Sequence, residues 1–158
     1  MKEVKIGIGD MKVLRHEGIL ITYALGSCIG ITLYDPVIKL GGLLHIMLPK
    51  ATAETAKTTP FKFADSGIDE MLRKMSIFGG IKSRYICKIA GGAQMFQMTG
   101  PTGNIGARNI ESVKAALRKE HINIVGEDTG KNIARTMLLD VATGEVRIRT
   151  MGSKEKML

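Results

Sequence analysis

Cys28 follows Gly26 and Ser27, and two small residues ahead of a cysteine permit a tight turn that exposes the sulfur. The same turn would point the backbone N–H groups around Gly26 and Ser27 into the space before it. A reachable thiol beside donors aimed at developing negative charge is what nucleophilic attack on an acyl carbon requires. A free cysteine can equally be a small buried hydrophobe, and position alone leaves both readings open. Cys87 suits the second, because it sits in a strand pattern between Ile86 and Lys88. His45 stands in an apolar run between Leu44 and Ile46. An isolated histidine there can be an ordinary core residue. If its strand neighbours that of Cys28, however, the imidazole can act as base toward the thiol. Thr22 lies six residues before Cys28. Its oxygen could accept the second imidazole N–H and fix the tautomer, the orienting role of a triad, although a strand threonine needs no such role.

The remaining candidates for chemistry are weaker. His16 falls in a charged turn and His121 at a helix end, where it can interact with the last carbonyls. Gly126-Glu-Asp-Thr-Gly130-Lys131-Asn132 superficially matches a phosphate-binding loop, but its glycines are one residue too close and Asn132 replaces the Mg²⁺-binding hydroxyl. Two cysteines without a CxxC pair exclude a disulfide framework and a structural zinc site, and Glu127 and Asp128 lack spaced partner ligands for any metal.

These residues must be held by elements that the hydrophobic pattern outlines. Val4, Ile6 and Ile8 alternate as an opening strand, and Asp10–Gly18 reads as a short excursion through Val13 and Leu14. Ile19–Leu25 and Ile29–Tyr34 are strands on either side of the Gly26-Ser27-Cys28 break, and Leu40–Leu48 is another, ended by Pro49. Gly18–Tyr34 holds 17 uncharged residues, at the lower edge of membrane-spanning length, but two strands and a turn explain its glycines and threonines better. Lys50–Thr59 reads as a mobile polar loop. Thr59 caps a helix with Pro60 at its first position and Phe61, Ala64, Ile68, Met71, Leu72 and Met75 on one face, ended by Gly79-Gly80. Tyr85–Ala90 is a strand, followed by a glycine-rich stretch through Gly91, Gly92, Gly100 and Gly103. A second helix covers Ile105–Glu120 with Ile110, Val113 and Leu117 inward. Ile122–Glu127 is a strand and Asp128–Asn132 a loop. Ile133–Asp140 and Glu145–Thr150 form a hairpin around Thr143-Gly144, and Met151–Leu158 reads as a frayed tail.

Many strands and two good helices predict an α+β fold, with sheet packed on sheet and the helices on one face. A length of 158 residues fits one domain spanning 1–158. Hydrophobic content of 44% with 24% charged residues excludes a wholly disordered chain. The N-terminus lacks the apolar segment of a signal peptide, which points to the cytoplasm without membrane insertion. With no Trp and seven Tyr plus Phe, base stacking on aromatics is disfavoured. The formal charge is +8, of which residues 1–79 carry +2 (ten basic, eight acidic) and 80–158 carry +6 (thirteen basic, seven acidic). That asymmetry suggests an acidic partner, although it can serve solubility alone. A non-catalytic basic module for a signalling protein or nucleic acid is therefore the alternative to an enzyme, and another thiol amidohydrolase, such as a peptidase or transglutaminase, is a second.

At Thr22-Tyr-Ala-Leu-Gly-Ser-Cys28 the chain resembles the CheD family of chemotaxis proteins, the chemoreceptor glutamine deamidases. The likeness runs over residues 4–150, through Tyr34-Asp-Pro36, His45-Ile-Met-Leu-Pro49, Lys62-Phe-Ala-Asp65, Lys88-Ile-Ala-Gly-Gly-Ala-Gln-Met-Phe96, Asn104-Ile-Gly-Ala-Arg-Asn109 and Glu127-Asp-Thr-Gly130. One departure follows Gly130, where many members have a second glycine and this chain has Lys131. The resemblance implies Cys28 as nucleophile, His45 as general base and acid, and Thr22 as the orienting residue. It implies a protein-glutamine glutaminase that acts on chemoreceptors without cofactor or metal, with receptor methylesterase activity in some members and a CheC-type phosphatase as regulator. It also implies a layered α/β/β sandwich of mixed sheets, resembling the toxin-type cysteine deamidases.

Overall fold

The computed structural model describes residues 2–95 and 103–158. Ten strands are assigned in chain order: β1 (Glu3–Lys5), β2 (Asp10–Arg15), β3 (Ile19–Leu25), β4 (Ile29–Asp35), β5 (Leu40–Ile46), β6 (Ile86–Gly91), β7 (Ile124–Thr129), β8 (Arg135–Asp140), β9 (Val146–Arg149) and β10 (Lys156–Met157). The helices are α1 (Ala53–Thr58), α2 (Ala64–Ile77) and α3 (Ile105–Lys119). The strands form two mixed sheets, ordered β1-β3-β8-β9-β10 and β2-β5-β4-β6-β7, in which β1/β3 and β6/β7 are the parallel pairs among the described strands.

The layering follows from which faces are apolar. Ile68, Met71 and Met75 of α2 and Val113 and Leu117 of α3 pack with Ile29, Ile31, Leu33 and Ile89 on one face of the β4-containing sheet. On its other face, Leu43 and Ala90 join Leu20, Leu25, Met137, Leu139 and Ile148 of the second sheet. The order is therefore helices, sheet, sheet, as the pattern of many strands and two good helices predicts. Every residue of β4 and β5 is buried, since both faces of these central strands are covered. The uncharged stretch 18–34 is thus two strands in two different sheets, joined by the turn that carries Cys28. Among the described residues, no helix is long and apolar enough to cross a membrane.

Several local expectations need correction. Asp10–Arg15 is a full edge strand, β2, antiparallel to β5, and not an excursion. Its pattern is blurred because only Met11 is fully buried. The opening strand stops at Lys5, and Ile8 is exposed where the chain turns toward β2. The supposed loop 50–59 contains α1, capped reciprocally by Thr52 and Thr55. Since α1 buries no residue, it leaves no apolar periodicity to read. The helix expected from Thr59 is divided: Pro60–Lys62 is a 3₁₀ turn, and α2 starts at Ala64 after Phe63. The tail is not frayed, because Lys156 and Met157 pair with Ile148 and Arg147 and the Lys88 ammonium donates to the Leu158 carbonyl. Gly100, in the glycine-rich stretch, and Phe96, in the family-like motif, lie outside the described residues.

Candidate active site

Thr22 sits on β3, where the chain departs from regular pairing. The register with β8 shifts between Thr22 and Leu25, and Ala24 takes a left-handed φ of +57°. This bulge leaves Tyr23 and Ala24 outward together and returns Leu25 to the inter-sheet core. Thr22 itself is completely buried. Its hydroxyl donates to the Ile6 carbonyl at 2.7 Å and lies 2.7 Å from His45 Nδ1.

Those two bonds fix the imidazole. A carbonyl can only accept, so the hydroxyl proton goes to Ile6, and Thr22 Oγ1 is left to accept from Nδ1–H. His45 Nε2 then carries the lone pair, buried and without a hydrogen-bond partner among the described residues. Burial pushes the His45 pKa down to about 4, so the ring is a neutral base across the physiological range.

Cys28 ends the turn between the two sheets. Gly30 is the register partner of His45 and Ile29 that of Ile46, so Cys28 lies one diagonal step along the ladder from the histidine. The thiol packs against the inter-sheet cluster, the side on which His45 reaches Thr22. It is half-buried, and burial raises its pKa above the ordinary thiol value, opposed by its own backbone hydrogen bond. With the thiol raised and the imidazole lowered, the resting pair is neutral thiol and neutral base.

The turn is held by its carbonyls. Gly92 N–H donates to Cys28 O at 2.9 Å, Ala93 N–H to Gly26 O at 2.8 Å, and the Asn109 amide to Ser27 O at 2.9 Å. A Cβ on Gly91 would stand 2.1 Å from Cys28 O at a φ of +112°, so only glycine admits this approach. The Gly26 N–H donates to Ala24 O at 3.0 Å. Ser27 and Cys28 N–H groups have no backbone acceptor among the described residues.

A family model described as CheD chemotactic sensory transduction matches residues 47–150. A protein of Desulforamulus reducens named "Probable chemoreceptor glutamine deamidase CheD" is 49% identical over 158 residues, 99% of this chain and 95% of its own. Proteins of the same name from Clostridium botulinum strain Alaska E43 and Pyrococcus abyssi are each 47% identical, covering 95% and 94% of this chain and 94% and 91% of theirs. The chain belongs to the CheD family.

The match to the CheD family model begins at Met47, after Thr22, Cys28 and His45, whereas the alignments to CheD relatives take in almost the whole chain. Of the side groups considered in the sequence, the structure brings Thr22 and His45 into contact and places Cys28 beside them. Cys87 is fully buried in β6 with a pKa pushed up to about 12 by burial. His16 and His121 occupy left-handed turn positions. Asp128, in the phosphate-loop lookalike, is engaged by Arg135 and Lys156. Among the described residues, no three His, Cys, Asp or Glu groups converge as a metal site. Two contributors escaped the sequence reading. The Ile6 carbonyl has no residue-type signal at all. Asn109 had one: it falls four residues before Val113 on the buried face of α3, where a polar residue is out of place.

Proposed function

We propose that this CheD-family protein is a cysteine-dependent protein-glutamine deamidase that converts chemoreceptor glutamine side chains to glutamate and releases ammonia. The observation that carries the reading is the bond between Thr22 and His45, backed by Ile6 O, which leaves Nε2 as a bare base beside a reachable thiol. The names of the full-length relatives supply the substrate class.

In this mechanism His45 Nε2 takes the Cys28 proton as sulfur attacks the amide carbon. The carbonyl π electrons move to oxygen, and the Ser27 and Cys28 N–H groups receive the oxyanion. Gly26, whose N–H is engaged with Ala24 O, shapes the turn instead. The intermediate collapses to a thioester, with the imidazolium proton leaving on the amine as ammonia. Water then attacks the thioester while His45 takes its proton. Collapse yields the glutamate side chain, and the thiol regains its proton. No step requires a cofactor or metal. Methyl esters of receptor glutamates would yield to the same attack, with methanol leaving. We place this activity in the cytoplasm, with a CheC-type phosphatase as regulator, and relate the α/β/β layering to that of toxin-type cysteine deamidases.

Mass spectrometry of receptor fragments incubated with the protein tests the reading. Each modified glutamine should gain about 1 Da as amide becomes acid. An unchanged fragment mass, or cleavage of its peptide bonds, would refute it.

A further inference from the structure

Where β4 and β5 separate around the thiol, the paired register ends at Ile29 and Ile46. Cys28 and Met47 would form the next rung. At that point the Asn109 side-chain nitrogen stands between the strands, 2.9 Å from Ser27 O and 3.0 Å from Met47 O. Two carbonyls facing one end of the amide fix its orientation, because oxygen there would meet two acceptors and no donor. Asn109 is completely buried, and its Oδ1 has no partner among the described residues. A buried acceptor without a donor costs stability and offsets part of what the two donated bonds contribute.

We infer that Asn109 is a positioning residue for catalysis: its two N–H groups replace a missing backbone rung and hold the Cys28 turn at a set distance from the strand bearing His45. This rests on the deamidase reading above and deepens it. A primary amide is suited to the task, since one nitrogen offers two uncharged donors to two carbonyls. The helix is fixed on both sides of this contact. The Ser112 hydroxyl donates to Pro49 O at 2.8 Å, one turn further along α3. Toward the N-terminus, a Cβ on Gly106 would stand 2.4 Å from Ala93 O and 2.5 Å from Gly92 O, the segment that also pins the turn. Thus α3 braces the turn directly through Asn109 and indirectly through residues 92–93.

The test compares Asn109→Leu and Asn109→Asp with Val113→Ala, a cavity-forming change one turn along the same buried helix face. The two readouts are kcat and KM on a receptor fragment and the pH profile of Cys28 alkylation by iodoacetamide. The second does not depend on deamidation, so failure of the deamidase reading (an inactive wild type) is separable from failure of this one. Both Asn109 variants should lose about a hundredfold in kcat with KM within about twofold. Their Cys28 alkylation profile should move toward that of an ordinary exposed thiol. Val113→Ala should lower thermal stability yet keep kcat and the profile. Asn109→Asp should recover relative to wild type as pH falls and its carboxyl regains a donor. If Asn109→Leu fails to fold, Asn109→Ser, which leaves room for water, should lose about tenfold. A folded Asn109 variant with wild-type kcat and alkylation profile, or a Val113→Ala loss as large, would overturn the assignment.

Discussion

Cys28 and Cys87 lie on or beside neighbouring strands of one sheet, since Leu33 of β4 is the register partner of Cys87. Cys87 is the second residue of β6, paired within the sheet and lying under the helices with Ile31 and Leu33, completely buried and with its pKa pushed up to about 12. Cys28 lies beyond the end of its strand, half-exposed, in a turn whose three carbonyls are tied down and whose β3 flank carries a bulge. Both thiols are raised by burial, and only one has a base set beside it. The difference teaches that what sets the proposed nucleophile apart is the end of a strand and the groups converging there, not a depressed pKa.

Replacing the two thiols is the most forceful way to break this comparison. Cys28→Ala should abolish ammonia release while leaving the melting temperature nearly unchanged. Cys87→Ser should retain turnover in the folded protein and lose about 1–3 kcal/mol of stability, because a buried hydroxyl lacks a partner among these apolar neighbours. Activity in the first variant, or its loss in a well-folded second, would reverse the assignment of the two regions.

The base comes next. His45→Ala should lower kcat by about 10²–10⁴-fold, since in the proposed mechanism the imidazole moves a proton in both halves of the reaction. His45 also predicts an acid limb in stability. Its folded pKa, lowered to about 4, lies below the ordinary 6.5, so on acidification the unfolded chain binds the proton first. Stability is therefore complete above pH 6.5 and falls toward pH 4 by about 3 kcal/mol, a contribution that His45→Gln should remove from denaturant titrations.

A smaller effect distinguishes triad from dyad. Thr22→Val should cost about tenfold to a hundredfold in kcat, while Thr22→Ser, which keeps the oxygen, should recover most of it. Equal rates for the two would reduce the threonine to a strand residue. The smallest effect concerns the basic half of the chain. Arg147 and Arg149 are already ion-paired, Arg147 with Glu145 and Glu155 and Arg149 with Glu155, so their charge is largely spent within the molecule. Reversing both should raise KM for a receptor fragment no more than a few-fold, with the difference vanishing at about 0.5 M salt. A larger or salt-insensitive change would give this surface a direct role in binding.

Much of this was legible in the residues. Apolar alternation and turn residues fix local conformation, so β3, β4, β5, α3 and the β8–β9 hairpin could be read closely from 19–48, 105–120 and 133–150. The Gly26-Ser27-Cys28 turn rested on the same local chemistry, whereas the residues alone left the pairing of Cys28 with His45 open and only the family resemblance implied it. What failed lacked a local signal: α1 has no buried face, β2 is a half-covered edge, and β10 exists only because β9 offers it a partner. Tertiary structure alone decided the rest. Thr22 and His45 belong to different sheets and meet because those sheets pack face to face. The ring's tautomer depends on a backbone carbonyl at Ile6, which every residue possesses and none advertises. Asn109 reaches the turn across 82 residues of sequence. Sequence determines what each segment can do by itself; which groups converge depends on burying two sheets and a helical layer against one another, a condition no single segment contains.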